Sequence, residues 1–223
     1  MSKPCVRLAI TVLVVSLCLS GCSSKITQMS QYSGFLPDYS KLQETMSPNG
    51  HKTLRWIAPN YQESNYRGLY FAPVVYFPTE KPTARVSQGT LNQIKAYATQ
   101  RIKSALETRF SILKTPAGPR VLVARIAITA VSAENEDMKF YEVVPVAAVV
   151  AGTMAATGHR SQNTTLYIEG ELIDQDSGKP VMEVVRKAYG KTVNNDNTPV
   201  TAEDIKAALD DIVADITQFP SHG

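Results

Sequence analysis

The chain has 223 residues, 43% of them hydrophobic, with 23 Lys and Arg against 20 Asp and Glu for a formal net charge of +3. That length carries a core of its own, and a near-neutral balance with no basic run or basic stripe beside aromatics excludes a nucleic-acid partner. The cysteines, Cys5, Cys18 and Cys22, all lie within the first 22 residues, which leaves the rest of the chain without a disulfide or a cysteine metal ligand.

The amino terminus reads as a secretory signal peptide over 1–21: Lys3 and Arg7 form a basic region, Leu8 to Leu19 an apolar run, and Ser20-Gly21 a small-residue site. Its end, Leu19-Ser20-Gly21-Cys22, resembles the bacterial lipobox. What that resemblance implies is removal of 1–21 and acylation of Cys22, palmitate included, so that the bilayer itself becomes a partner. At about 0.8 kcal/mol per buried methylene, such an anchor holds permanently. Ser23 stands where an aspartate retains enteric-type lipoproteins in the inner membrane, so the expected address is the inner leaflet of the outer membrane, with the domain in the periplasm. Loss of Lys3 and Arg7 lowers the basic count from 23 to 21 against 20 acidic residues, a net charge of +1.

Residues 22–31 form a polar linker reaching at most ~35 Å, and 32–219 read as one domain without an internal repeat. Ten of the seventeen aromatics fall between Tyr32 and Phe77, among Pro37, Pro48, Pro59 and Pro73, which reads as an irregular wrap ending in a strand over Leu69 to Phe77. Pro73 demotes that strand to an edge or bulge position. Leu91, Ile94, Ala98, Ile102, Ala105 and Leu106 recur at spacings of three and four, predicting an amphipathic helix between Ser87 and Phe110 with Thr90 and Gln93 as a capping box or Ser87 as a rival start. Val121 to Val131 alternates as a strand with one buried face. Two further alternating runs, TTLYIEGELID and VMEVVRKAYGK, flank the turn Gln175 to Pro180 and predict a hairpin. At the end of the chain Ile205, Leu209, Ile212, Ile216 and Phe219 form one stripe of a second helix, with Glu203, Asp210, Asp211 and Asp215 on its solvated side. The expected fold is α+β: about four mostly antiparallel strands with both helices on one face, in the order strand, helix, strand, hairpin, helix.

Between the lone strand and the hairpin lie sixteen uncharged residues, Val143 to Gly158. A spanning helix needs about twenty apolar residues, and this run is interrupted by Pro145, Gly152 and Gly158. It reads either as a segment folded onto the sheet or as a projecting surface whose Val146, Val149 and Val150 meet the leaflet or another subunit.

Residues for chemistry are sparse. His51, His159 and His222 are far apart, with no ligand type at i+3 or i+4, and no G-x-S-x-G elbow occurs, so neither a metal centre nor a hydrolase triad is expected. Asp174 to Gly178 opens like a calcium loop but lacks its third oxygen ligand and closing glutamate, which makes it a turn; Glu134, Glu136 and Asp137 read as a solvated loop. Tyr32, Tyr39 and Tyr61 are the candidates for an aromatic platform that stacks on glycan, against the alternative that such side chains fill the core, as Phe35 and Trp56 are expected to do.

SGFLPDYSKL at Ser33 to Leu42, LRWIAPN at Leu54 to Asn60, APVVYF at Ala72 to Phe77 and IEGELIDQDSGKP at Ile168 to Pro180 together resemble the Gram-negative lipoprotein family catalogued as domain-of-unknown-function family 3313. The resemblance implies a lipid-anchored periplasmic domain and brings no catalytic residue or cofactor with it. The expected role is a non-catalytic binding or assembly module of the cell envelope, whose partner is a protein, a like subunit or glycan. The alternatives are a subunit of an oligomeric secretion or pore-like assembly and, less favoured, a cell-wall hydrolase.

Overall fold

The computed structural model describes residues 26–134, 162–194 and 198–220. Cys22, the insert residues Val146, Val149 and Val150, and Glu136, Asp137, His159 and His222 lie outside the described residues. In chain order the elements are β1 (Gln43–Met46), β2 (Lys52–Ile57), β3 (Gly68–Phe71), β4 (Val75–Tyr76), α1 (Gln88–Glu107), β5 (Ile112–Leu113), β6 (Val121–Glu134), β7 (Gln162–Asp174), β8 (Lys179–Val193) and α2 (Ala202–Thr217).

The expectation of about four mostly antiparallel strands is overturned: eight strands form one mixed sheet in the order β1-β2-β8-β7-β6-β3-β5, with β4 also paired to β6. Three physical reasons account for the difference. Pro73 splits the expected Leu69 to Phe77 strand into β3 and β4, because its ring removes a backbone donor. Both pieces run parallel to β6, since α1 intervenes as the crossover that parallel pairing requires. The hairpin of β1 and β2 hides among polar residues: Thr53 is buried only because its hydroxyl donates to the Val185 carbonyl at 3.1 Å.

The remaining pattern follows from local chemistry. β6, β7 and β8 form a long antiparallel meander, turned at Asp174 to Lys179 with Gly178 at φ +66°. Ser87 starts α1 by accepting from the Thr90 amide at 3.1 Å, so the rival start prevails and Thr90 lies inside the helix. Thr201 and Asp204 form the capping box of α2. The apolar stripes of α1 and α2 share one core with Leu122, Ala124, Ile128, Leu166 and Ile168 of the sheet. On the opposite sheet face Phe35 and Leu36, from the segment before β1, pack on Ala127 and Val185.

The acidic side of α2 is only partly solvated: Glu203 and Asp210 stay largely exposed, whereas Asp211 and Asp215 are mostly covered. Asp211 and Asp215 grip Arg186 of β8 at 2.7 and 3.0 Å, and Asp210 accepts from Tyr97 of α1 at 2.9 Å. A helical wheel registers one core-facing stripe, whereas this helix also rests on a buried guanidinium. Its first turn is seated closer still: a Cβ at Gly190 would lie 2.1 Å from the Asp204 carbonyl oxygen and 2.4 Å from the Thr164 hydroxyl. Gly190→Ala should therefore push α2 off the sheet. The expected cost is about 3 kcal/mol, read in a thermal melt as a fall of roughly 6–12 °C for a chain of this size; an unchanged melt would show that α2 can shift without penalty.

Candidate functional site

Arg55, Val184, Gly170 and Ile126 stand side by side in one row across β2, β8, β7 and β6. Gly170 sits at the middle of the most buried strand, on the side facing the helices. Unlike Gly190, it is not there to admit a close neighbour. The three nearest neighbours of a Cβ at this position would be Ile126 Cγ1 at 3.4 Å, Val184 Cγ1 at 3.5 Å and the Arg125 carbonyl oxygen at 3.6 Å, ordinary van der Waals contacts within the sheet itself.

The space above Gly170 is a cavity of about 150 Å³ between sheet and helices, with Ile102 and Leu106 of α1 and Ile212 and Ile216 of α2 among its walls. Three arginines line it, and their charges are answered unequally. Arg186 holds Asp211 and Asp215. Arg109 pairs with Glu63 and donates to the Ile216 carbonyl at 3.2 Å at the end of α2. Arg55 donates only to the Thr45 hydroxyl, at 3.4 Å, and forms no ion pair among the described residues. Burial lowers its pKa while the charge of Asp215 acts in the opposite direction; a guanidinium remains cationic regardless.

Phe219, expected to close the apolar stripe of the second helix, lies beyond the helix end at Thr217. Its ring sits between two guanidinium groups, 4.6 Å from Arg55 and 5.2 Å from Arg109, at the wall of the cavity. These are cation–π contacts, worth about 0.5–1 kcal/mol each at exposed sites. The Phe219 amide donates to the Ile216 carbonyl at 3.4 Å, so the residue follows directly on the last turn of α2.

The three tyrosines proposed as a glycan platform divide between the two faces of the sheet. Tyr32 and Tyr39 stack at 4.3 Å and 6° over the face opposite the helices. Tyr61 is buried in the helix-side core and lines the cavity. The Tyr39 hydroxyl donates to Glu169 at 2.5 Å, and its pKa is pushed up to about 12, first by burial and then by that carboxylate. Glu169 also accepts from the Ser33 amide at 2.9 Å, so the segment over 31–42 is strapped to the sheet.

Beside Glu169 on this outer face stand two more buried carboxylates, Glu171 and Glu183, directly opposite one another on β7 and β8. Glu171 meets Arg125 at 2.9 Å, whereas both oxygens of Glu183 are buried without a hydrogen-bond partner. Burial pushes the pKa of Glu183 up, Glu171 and Asp38 add to the shift, and Lys41 opposes it. Among the described residues no group of three or more His, Cys, Asp or Glu side chains is arranged to hold a metal ion.

Two predictions follow from these environments. Gly170→Ala should raise stability by about 0.5–1 kcal/mol, because strand interiors disfavour glycine and the added methyl meets Ile126 and Val184 at ordinary van der Waals distances; a lowered melting temperature would mean that those neighbours cannot accommodate it. Glu183→Gln should raise the melting temperature at about pH 8 and lose that advantage near about pH 4. The sign follows from the raised pKa: this group's contribution to folding is full below the ordinary glutamate range and is lost as the pH rises through its shifted value. Equal melts of the two proteins at both pH values would place the Glu183 carboxylate in contact with solvent.

Sequence signals for the cavity were present but faint. Gly170 breaks the run of large residues at Ile168 and Leu172, and Phe219 ends an apolar stripe, yet neither shows an opening until the helices are in place. Arg55 stood within a stretch that reads as irregular.

Comparison with known proteins places this geometry in context. The protein-family model "Protein of unknown function (DUF3313)" matches residues 31–216. The chain is 49% identical over 203 residues to the uncharacterized lipoprotein YdcL of Escherichia coli strain K12, which covers 91% of each protein. Among solved structures, the PelC dodecamer from Paraburkholderia phytofirmans matches at 10% identity and TM-score 0.38, covering 76% of this chain and 97% of that one. The hypothetical protein CT253 from Chlamydia trachomatis matches at 11% identity and TM-score 0.39, covering 69% and 97%. Likeness at those TM-scores fixes neither a fold nor a role.

Proposed function

We propose a non-catalytic binding role in the cell envelope for this chain, which belongs to the DUF3313 family of proteins of unknown function. Cys22 carries the lipid, the anchor sits in the inner leaflet of the outer membrane, and the domain faces the periplasm. Support for the anchor comes from Leu19-Ser20-Gly21-Cys22 behind an apolar run, from Ser23 in place of aspartate, and from the lipoprotein name of the relative that is 49% identical. Support for binding comes from one observation above all. A strand position in the middle of the fold is left without a side chain, a cavity of about 150 Å³ lies above it among the described residues, and an aromatic ring lies at its wall between two cations.

A mostly apolar cavity suits a binding site better than a reaction centre, since aliphatic and aromatic side chains supply much of its lining and two of its three arginines are held in ion pairs. The anchor is tested in cells. Wild-type protein should incorporate labelled palmitate and fractionate with the outer membrane, whereas Cys22→Ala should incorporate none and accumulate as the uncleaved precursor. Cleavage of the alanine variant after Gly21, with release of a soluble protein, would instead identify an ordinary signal peptide.

A further inference from the structure

We propose that the cavity above Gly170 receives the tail of a single-chain anionic amphiphile, with Arg55 as counter-ion to its headgroup and Phe219 as a displaceable cover. This deepens the binding role proposed above and rests on it.

Size, direction and charge each point the same way. A cavity of about 150 Å³ lined by aliphatic residues is large enough to bind benzene when engineered into a core, which sets the enclosed portion at roughly six carbons. The row from Arg55 through Val184 to Gly170 crosses two strand spacings, about 10 Å, so the cation and the space it would serve are separated along one line. A compact aromatic acid cannot place its charge at one end of that line and its apolar part at the other; an extended chain can. The route between them passes over Val184, which is apolar, and emerges where Phe219 lies against Arg55.

Charge selects the headgroup. Of the three guanidinium groups around the cavity, Arg186 and Arg109 are held by carboxylates, whereas Arg55 meets an aromatic face and a hydroxyl and forms no ion pair among the described residues, with Asp215 acting on it only from beyond ion-pair distance. A carboxylate or phosphate arriving with the chain would replace the Phe219 ring over Arg55 with a charge-assisted hydrogen bond, the stronger of the two contacts. The ring can leave without unwinding α2, because it lies beyond the helix end. Neither of the residues flanking Gly170 in its row is polar, so the tail meets no unsatisfied group on the cavity floor.

The test uses the full-length lipidated protein in phosphatidylcholine nanodiscs and dodecanoic acid carrying a diazirine at its terminal carbon. After irradiation, peptide mass spectrometry should find the adduct on Ile126, Leu172 or Ile216. Unlabelled dodecanoate should compete about tenfold better than dodecanol, a preference that Arg55→Gln should remove. Phe219→Ala should speed labelling, and Gly170→Val, which fills the floor, should abolish it while melting no lower than wild type. Adducts confined to residues outside the cavity, or equal competition by acid and alcohol, would overturn the proposal. Palmitate labelling at Cys22, measured on the same preparation, reports separately on the anchor and is unaffected by either outcome.

Discussion

At Gly190 the sheet comes within van der Waals reach of the backbone of α2, and at Arg186 it offers that same helix a buried guanidinium for two carboxylates. These contacts fix the helix at both ends, and other features take their positions from it. The close approach at the first turn sets the height of α2 over β7 and β8. The ion pairs near its last turns set its rotation, which directs Ile212 and Ile216 towards the sheet and leaves Phe219 beyond the helix end beside Arg55 and Arg109. Two glycines in neighbouring strands consequently have opposite meanings. At Gly190 the missing side chain is replaced by backbone of the helix; at Gly170 its nearest neighbours belong to the adjoining strands, and a cavity lies between the sheet and the helices.

The two faces of the sheet are stabilised by different physics. The helix side is a broad apolar core whose largest residues are fully buried. The other side has a small apolar cluster and three buried carboxylates, of which Glu169 is satisfied by the strap, Glu171 is paired with a partly exposed arginine, and Glu183 is unsatisfied. Buried carboxylates opposed across two strands cost stability when both are charged. The strap offsets part of that cost by supplying Ser33 and Tyr39 as donors and Phe35 and Leu36 as apolar cover.

How much of this was legible in the sequence depended on whether an element declares itself through periodicity. The helices did, because Leu91 to Leu106 and Ile205 to Ile216 each present a continuous stripe. The long strands and their hairpin did, because they alternate between well-marked turns. Strand number and direction did not. The hairpin of Gln43–Met46 and Lys52–Ile57 is mostly polar and joins at the sheet edge, and parallel pairing of Gly68–Phe71 with Val121–Glu134 is decided by the path of the intervening helix rather than by either strand's residues. Asp211 and Asp215 read as solvent-facing because a wheel drawn for one helix contains no information about Arg186. The cavity is the extreme case, since it consists of an absence whose meaning depends on three other elements.

The strap has a mechanical consequence. Tension entering the described chain from its amino-terminal side at residues 26–31 passes through Ser33, Phe35, Leu36 and Tyr39 before it reaches the first strand at Gln43–Met46. The strap is held by two hydrogen bonds to Glu169, one from the Gln31 side-chain amide to the Tyr167 hydroxyl and a small patch of apolar contact, whereas the sheet beneath it is held by long antiparallel ladders over Val121–Glu134, Gln162–Asp174 and Lys179–Val193. A pull therefore peels the strap while the ladders remain closed. Each residue released adds up to about 3.3–3.6 Å of slack, so the segment acts as a short extensible leash, and the domain can rise from its point of attachment without loading the fold that carries the cavity.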